Sequence, residues 1–259
     1  MNDHAHEPAD PIQVRAGMSL DATGDHVAEG PAPTTVEPAH SIARPILDRE
    51  MRDVKDAIIR LGSSVQDALI RAMDALVRHD AEAATAVIRD DARINAMRGE
   101  VEDLVILSIA TQSPVARDLR YLLMLDNVSN ELERIGDYAA NVAKQARKLA
   151  PEPPLKEYVH LPELGRLAAD GVGRITRALI DLDPDEARAV AAADDDIDRL
   201  YHAIIEETKA LMAADGANVE RGLRIVFAAH YLERAGDRMT NIAEDVVYLA
   251  TGHMEDLNA

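Results

Sequence analysis

Leu132-Glu133-Arg134-Ile135-Gly136-Asp137 recurs one hundred residues later as Leu232-Glu233-Arg234-Ala235-Gly236-Asp237. The echo continues through Asn141/Asn241, Val142/Ile242 and Ala143/Ala243. A repeat of this length at a fixed period means that one supersecondary unit has been used twice. Any fold for this chain must therefore accommodate two equivalent halves.

The repeated stretch also specifies its own local structure. In the first copy Leu125, Val128, Leu132, Ile135, Ala139, Val142, Ala146 and Leu149 alternate by three and four residues, the spacing of an apolar seam along an α-helix. Ile225, Ala228, Leu232, Ala235, Met239, Ile242, Val246 and Leu249 form the same seam in the second copy. Glu133, Asp137 and Asn141 follow at intervals of four, one residue round from the seam, and Glu233, Asp237 and Asn241 do the same. Each helix carries an acidic stripe bordering its buried face.

Composition agrees with an all-helical chain. Apolar residues make up 47% of the 259, enough to fill a core, while aromatics are only 3% and Trp is missing. Ala, Leu, Arg and Glu dominate the periodic segments, and no β-branched alternation is sustained. A formal charge of -19 argues against a nucleic-acid groove and against docking on anionic lipid, both of which need basic surface. Without cysteine there is no disulfide, thiolate metal site or Cys nucleophile. The longest apolar run, 104–110 interrupted by Ser108, is too short to span a bilayer. The start, Met1-Asn2-Asp3-His4, shows no basic-then-apolar secretory pattern, so the expectation is a soluble, cytoplasmic protein.

Residues 1–40 are rich in Pro, Gly, Ala, His and acid without a period, and are expected to form a disordered tail. His4, His6, His26 and His40 lie there, and a solvated tail is favoured over metal capture, which would cost ordering entropy. The first unit, 41–150, is predicted as a three-helix bundle. Its first helix runs over 46–78, with Met51, Val54, Ile58, Leu61, Val65, Leu69, Ala72 and Leu76 inward; Asp80 caps the second, over 81–111, with Val87, Ile94, Met97, Val101, Leu104 and Leu107 inward. Ser113-Pro114 is expected to open the third helix. Pro151-Glu152-Pro153-Pro154 ends it and begins a linker over 151–160. The second bundle, 161–252, repeats the plan with helices over 162–182, 184–214 and 219–251. There Asp183-Pro184-Asp185-Glu186 resembles a capping box, and Gly216 is expected to stop the fifth helix. The two halves align at an offset of 103 across the first two helices and 100 across the third. The fold predicted is all-α: six long helices in two tandem, duplicated three-helix bundles.

Like charges four apart on a helix disfavour it by about 0.2–0.5 kcal/mol, and a nearby apolar seam strengthens the repulsion. Something positive is expected there, either an arginine or a metal cation. A pair of carboxylates on the preceding helix, Asp194 and Asp198, would complete the second site; the first has Asp91 and Asn95, one charge poorer. Oxygen ligands of this kind suit Mg²⁺, Ca²⁺, Mn²⁺ or iron. Mid-helix Gly136 and Gly236, each costing about 1 kcal/mol against Ala, point to a close approach. The competing reading is a set of salt bridges to Arg93, Arg134, Arg199 and Arg234, and Arg134 and Arg234 are themselves read as structural ion pairs. His230, matched by Asn130 in the first copy, reads as a polar histidine rather than a ligand. No two helices each supply a Glu-x-x-His motif, and no phosphate loop, Gly-x-Ser-x-Gly or His-Glu-x-x-His occurs, so no enzyme activity is expected.

The paired Leu-Glu-Arg-x-Gly-Asp motifs, with His40-Ser41-Ile42, Arg49-Glu50 and Arg117-Asp118-Leu119-Arg120, resemble the PhoU family over residues 40–252. That resemblance implies two three-helix bundles, multinuclear metal clusters (iron, or Mg, Mn, Zn or Ca) and no catalysis. The metal positions carried over are Glu133, Asp137, Glu233 and Asp237, with Asp91, Asp194 and Asp198. It also implies negative control of phosphate uptake and of the phosphate-starvation response, as an adaptor between the phosphate ABC transporter's ATPase (PstB-like) and a sensor histidine kinase (PhoR-like). Those partners would bring the protein to the inner membrane, and a homodimer is expected. The alternatives are a carboxylate-cluster metalloenzyme and a metal-free helical scaffold.

Overall fold

Long amphipathic stretches separated by short turn signals favour antiparallel helices. The computed structural model describes residues 40–257, with side chains from residue 45 onward. The first repeat consists of α1 (His40–Arg78), α2 (Ala81–Gln112) and α3 (Arg117–Leu149). The second consists of α4 (His160–Asp181), α5 (Pro184–Ala192), α6 (Asp194–Ala214) and α7 (Val219–Thr251), with a 3₁₀ turn at Gly216–Asn218. The segment expected as a tail, with His4, His6 and His26, lies outside the described residues, as does the side chain of His40. Among the described residues no helix is long and apolar enough to cross a membrane.

The six-helix plan is present, with the fifth rod divided at Ala193 into α5 and α6. Local tightening marks the break: the Ala193 N–H bonds back to Val190 O at 3.2 Å, and the Asp196 N–H to Ala193 O at 3.2 Å. Asp194, Asp195 and Asp196 follow immediately, and a fresh helix N-terminus is where three adjacent negative charges are best tolerated.

The two equivalent hairpins share their cap chemistry. Asp80 Oδ1 accepts from the Ala83 N–H at 2.9 Å, and Asp183 Oδ1 from the Asp185 and Glu186 N–H groups at 3.0 and 3.1 Å. His79 and Leu182 precede these caps in the left-handed region, at φ 54° and 53°. The reciprocal half of a capping box is missing, because Glu186 accepts from Arg174 Nε at 2.7 Å and the Asp183 N–H bonds to Ala178 O. Ser113 does not open α3. The proline after it disfavours helical backbone, and it closes α2 instead at φ 47°, its N–H bonding to Ile109 O. Nor does Gly216 stop α6: the extended backbone of Asp215 (φ -150°) ends the helix one residue earlier.

The predicted α1 stripe is buried apart from half-buried Met51, and both motif-helix seams are buried apart from half-buried Leu249. On α2 the inward register differs from expectation. Ala84, Val87, Ile94, Val101, Val105 and Ser108 face the core, while Leu107 is 53% exposed. That register, 84-87-91-94-98-101-105-108, places Asp91 on the core-facing stripe. In the second repeat Ala187, Val190, Ile197, Ile204 and Thr208 follow the same spacing, and it places Asp194 there.

The repeats pack as one unit. Two antiparallel contacts join them, α1 with α4 and α3 with α7. Across α1–α4 a Cβ on Gly62 would fall 2.5 Å from Thr176 Oγ1, and one on Gly165 would fall 2.3 Å from Met73 Cγ. These contacts are equivalent under the 103-residue offset, so the joint is pseudo-two-fold. Gly62→Ala is expected to destabilise by about 1–2 kcal/mol, because Thr176 is buried, branched and tied to Val172 O. Gly99→Ala, with open space at the same position in α2, should stabilise by about 0.5–1 kcal/mol. Urea denaturation of the two variants reads both signs.

Candidate metal centres

The register of α2 and α6 decides what surrounds the acidic stripes. In the second repeat Asp194 faces α7 from the first turn of α6. Its Oδ1 would lie 2.2 Å from a Cβ on Gly236, so the glycine is where this carboxylate and Ile197 press against the α7 backbone. In the first repeat the corresponding glycine, Gly136, receives Ile94, 2.9 Å from a built Cβ. The close approach expected at the two glycines is thus an aspartate-isoleucine layer in one copy and isoleucine in the other.

Within each predicted cluster the carboxyls feel one another's charge. Burial raises the Asp194 carboxyl to about 7, helped by the charges of Asp198, Asp237, Glu233 and Asp195. Glu233 is raised by burial, then by Asp237 and Asp198. In the first repeat Asp91 is raised by burial and by Asp137, and Glu133 by burial, Asp137 and Asp91. Asp137, Asp198 and Asn95 are exposed at the rim. Buried Asp91 Oδ1 and Asp194 Oδ1 have no hydrogen-bond partner among the described residues. Glu233 Oε2 makes no hydrogen bond there either, though His230 Nδ1 stands 3.3 Å from it.

The expected arginines offset the stripes only in part: Arg134 lowers Glu133 and Arg234 lowers Glu233, yet both carboxyls stay raised. Arg134 pairs with Glu131 at 3.0 Å and Arg199 with Asp196 at 2.7 Å; only Arg234 reaches a stripe residue, Asp237, at 3.4 Å along its own helix. Among the described residues no three acidic or histidine groups converge as closely as a bound ion would require. Orphaned buried oxygens and an all-carboxylate donor set are the chemistry that a hard cation takes.

The clusters differ in charge beyond Asn95. Arg98 and Lys144 lower the carboxyls of the first, Arg98 acting on Glu133 and Lys144 on Asp91. At equivalent positions the second repeat has Tyr201 and Glu244. A further buried acid, Glu131, lies outside the stripe. It accepts from Arg134, Arg238 (3.3 Å) and Asn241 (3.4 Å), and so ties α3 to α7. Asp245, raised by burial to about 6, accepts from Asn127 Nδ2 at 2.6 Å across the same joint. Neither has an acidic counterpart in the other repeat, where Tyr231 and Gln145 stand, so the repeat pattern did not mark them. A signal for Asp91 and Asp194 existed, an acid at the same place within an apolar stripe in both copies.

A family model described as "PhoU domain" matches residues 58–146 and again 161–246, both repeats in turn. The chain belongs to the PhoU family. The PhoU homolog from Clostridium acetobutylicum, a phosphate-specific transport system accessory protein, is 33% identical over 218 residues, 84% of this chain and all of that one. The crystal structure of PhoU from Pseudomonas aeruginosa aligns with TM-score 0.76 at 32% identity, covering 80% of this chain and 99% of that one. The phosphate transport system regulatory protein PhoU from Streptococcus pneumoniae aligns with TM-score 0.75 at 28% identity, covering 81% and 99%.

The raised carboxyls set a pH dependence for the chelated protein. Folded Asp194 holds its proton to about 7 and Asp245 to about 6, against an ordinary value of 3.8, so between those limits the folded state binds more protons than the unfolded. Stability should therefore fall as pH rises from about 4 to about 7. Thermal melts in chelator check the slope, and Asp194→Asn should flatten it, leaving the part due to Asp245 and to the other raised carboxyls, Asp91, Glu133 and Glu233.

Proposed function

We propose that this protein is an accessory regulator of phosphate-specific transport, whose carboxylate clusters hold metal ions. The observation that carries the metal reading is the pair of clusters at equivalent places, each with a buried oxygen left unpartnered. In the second cluster Asp194, Asp198, Glu233 and Asp237 would hold the ion. In the first, Asp91, Glu133 and Asp137 would do so against the opposing charges of Arg98 and Lys144. A bound cation would offset the mutual repulsion of the carboxylates and keep Asp194 ionised at neutral pH. The second cluster is the tighter site on this account.

The regulatory reading is supported by the roles of the relatives in phosphate-specific transport and by a match that spans 99–100% of their length. It assigns the chain negative control of phosphate uptake and of the starvation response. Its partners would be the phosphate transporter's ATPase and a sensor histidine kinase, with the protein in the cytoplasm. No catalytic role is assigned to any residue. A metal-free scaffold is the second reading, favoured by the Arg234–Asp237 contact and by the lack of three converged ligands among the described residues.

Elemental analysis after dialysis against trace divalent metals separates the two. Asp194→Asn with Asp237→Ala should remove the tightly held ion, and Asp91→Asn the more weakly held one. Unchanged metal content in both variants, or wild-type protein free of metal and indifferent to chelator, supports the scaffold. A tagged chain purified from phosphate-replete cells should carry the transporter ATPase and the kinase with it; their absence would count against the adaptor role.

A further inference from the structure

In a chain of net charge -19, cations gather at one cavity. It has a volume of about 310 Å³ and lies where the first turns of α3 meet α1, the end of α4 and the end of α7. Lys55, Arg117 and Arg120 line it with Tyr121, Leu182 and Leu249. Lys55 Nζ is held over the Tyr121 ring, 5.1 Å from its centroid, and the Arg120 guanidinium over Tyr248 at 5.3 Å. Among the described residues none of the three cations is paired with a carboxylate. Asp118 also lines the cavity and has an engagement of its own. Tyr121 is 6% exposed and its hydroxyl has no hydrogen-bond partner among the described residues. The 33-residue α3 begins here with no side-chain cap hydrogen bond, and Asp118 is the acidic residue of its first turn.

The second repeat shows what such a place requires. At the equivalent corner the cation and the aromatic ring have exchanged helices: Tyr158 stands where Lys55 does, before α4, and Arg221 of α7 where Tyr121 does. That corner is filled by the chain itself. Arg221 Nε lies 3.3 Å from the Glu152 carboxylate, its Nη1 donates to Pro153 O at 3.1 Å and its Nη2 to Asn218 Oδ1 at 2.9 Å. The Tyr158 hydroxyl meets His79 Nε2 at 3.4 Å. One cation there takes one carboxylate from the linker. In the first repeat α1 runs unbroken through the corresponding positions, so among the described residues no linker segment fills the corner.

We propose that the Lys55–Arg117–Arg120–Tyr121 cavity binds a phosphate-type dianion, free or as a monoester. Three cations against Asp118 leave a surplus of two positive charges, which matches a dianion. The two arginines offer planar donors for its oxygens, and the unpartnered Tyr121 hydroxyl supplies a neutral one. The apolar walls of Met51, Leu182 and Leu249 leave room for the organic part of an ester. This inference is independent of the carboxylate clusters and of the partners assigned above.

Calorimetric titration of the full chain in chelator, at constant ionic strength, tests it with orthophosphate, phenyl phosphate and acetate. Saturable binding of orthophosphate or phenyl phosphate is expected, with acetate weaker by about tenfold or more. The better of the two phosphates identifies the source. Arg117→Gln with Arg120→Gln should weaken the binding by about tenfold or more, and Tyr121→Phe by about threefold. Both arginines are exposed, so circular dichroism should confirm that the double variant keeps its helices. Binding that does not saturate, that persists in the arginine variant, that is unaltered by Tyr121→Phe, or that acetate matches would overturn the proposal. Retention of an acidic peptide with no response to either phosphate would do the same.

Discussion

Close packing of α3 and α7 against each other and against their own bundles is the constraint on which the rest depends. Half of the α3 residues are buried, among them Gly136, Ala139, Ala140, Ala143 and Ala146, and the corresponding α7 face carries Ala235, Gly236 and Ala243. Small side chains let neighbouring backbones come near, and the acidic stripe one step round from the seam then has nowhere to spread. A carboxylate placed against the α7 backbone, as Asp194 is, loses hydration it would keep on an open helix. Its tendency to hold a proton near neutral pH follows from that packing rather than from any unusual chemistry of its own.

Duplication preserved the packing while the charges diverged. Under the pseudo-two-fold, Glu131 against Arg238 corresponds to Tyr231 against Tyr138, an ion pair in one place and rings stacked at 6.2 Å in the other. The divergence extends to the clusters, where Arg98 and Lys144 in the first repeat face Tyr201 and Glu244 in the second. Side chains at the joint can exchange chemistry at roughly constant volume, because burial depends on shape while the field depends on charge. Two sites on equivalent backbones therefore present different potentials to a cation.

Much of this was legible in the sequence where the determining interactions are local. The α7 boundaries, the Asp80 and Asp183 caps and the seam residues of the motif helices follow from spacing and from short-range hydrogen bonds. Misreadings arose where two local rules compete. Ser113 has the chemistry of an N-cap but sits before a proline and at the end of a helix that needed closing, and Leu107 lies one step off a stripe whose register was chosen by Ala84, Val87, Val101 and Val105 together. The break at Ala193 combines a tightened turn with three consecutive aspartates, and helical periodicity passes through it undisturbed.

By itself the amino-acid sequence determined the helices, their number, the duplication and the acidic stripes, because each depends on residues three, four or a fixed hundred apart in the chain. Only the tertiary structure decided which acids lose their water, which cations stand near them, and that among the described residues the basic corner at the start of α3 has a cavity where its twin is filled by the linker. Those outcomes depend on which surfaces of distant helices meet, and the energy of a buried charge is set by all of its neighbours at once.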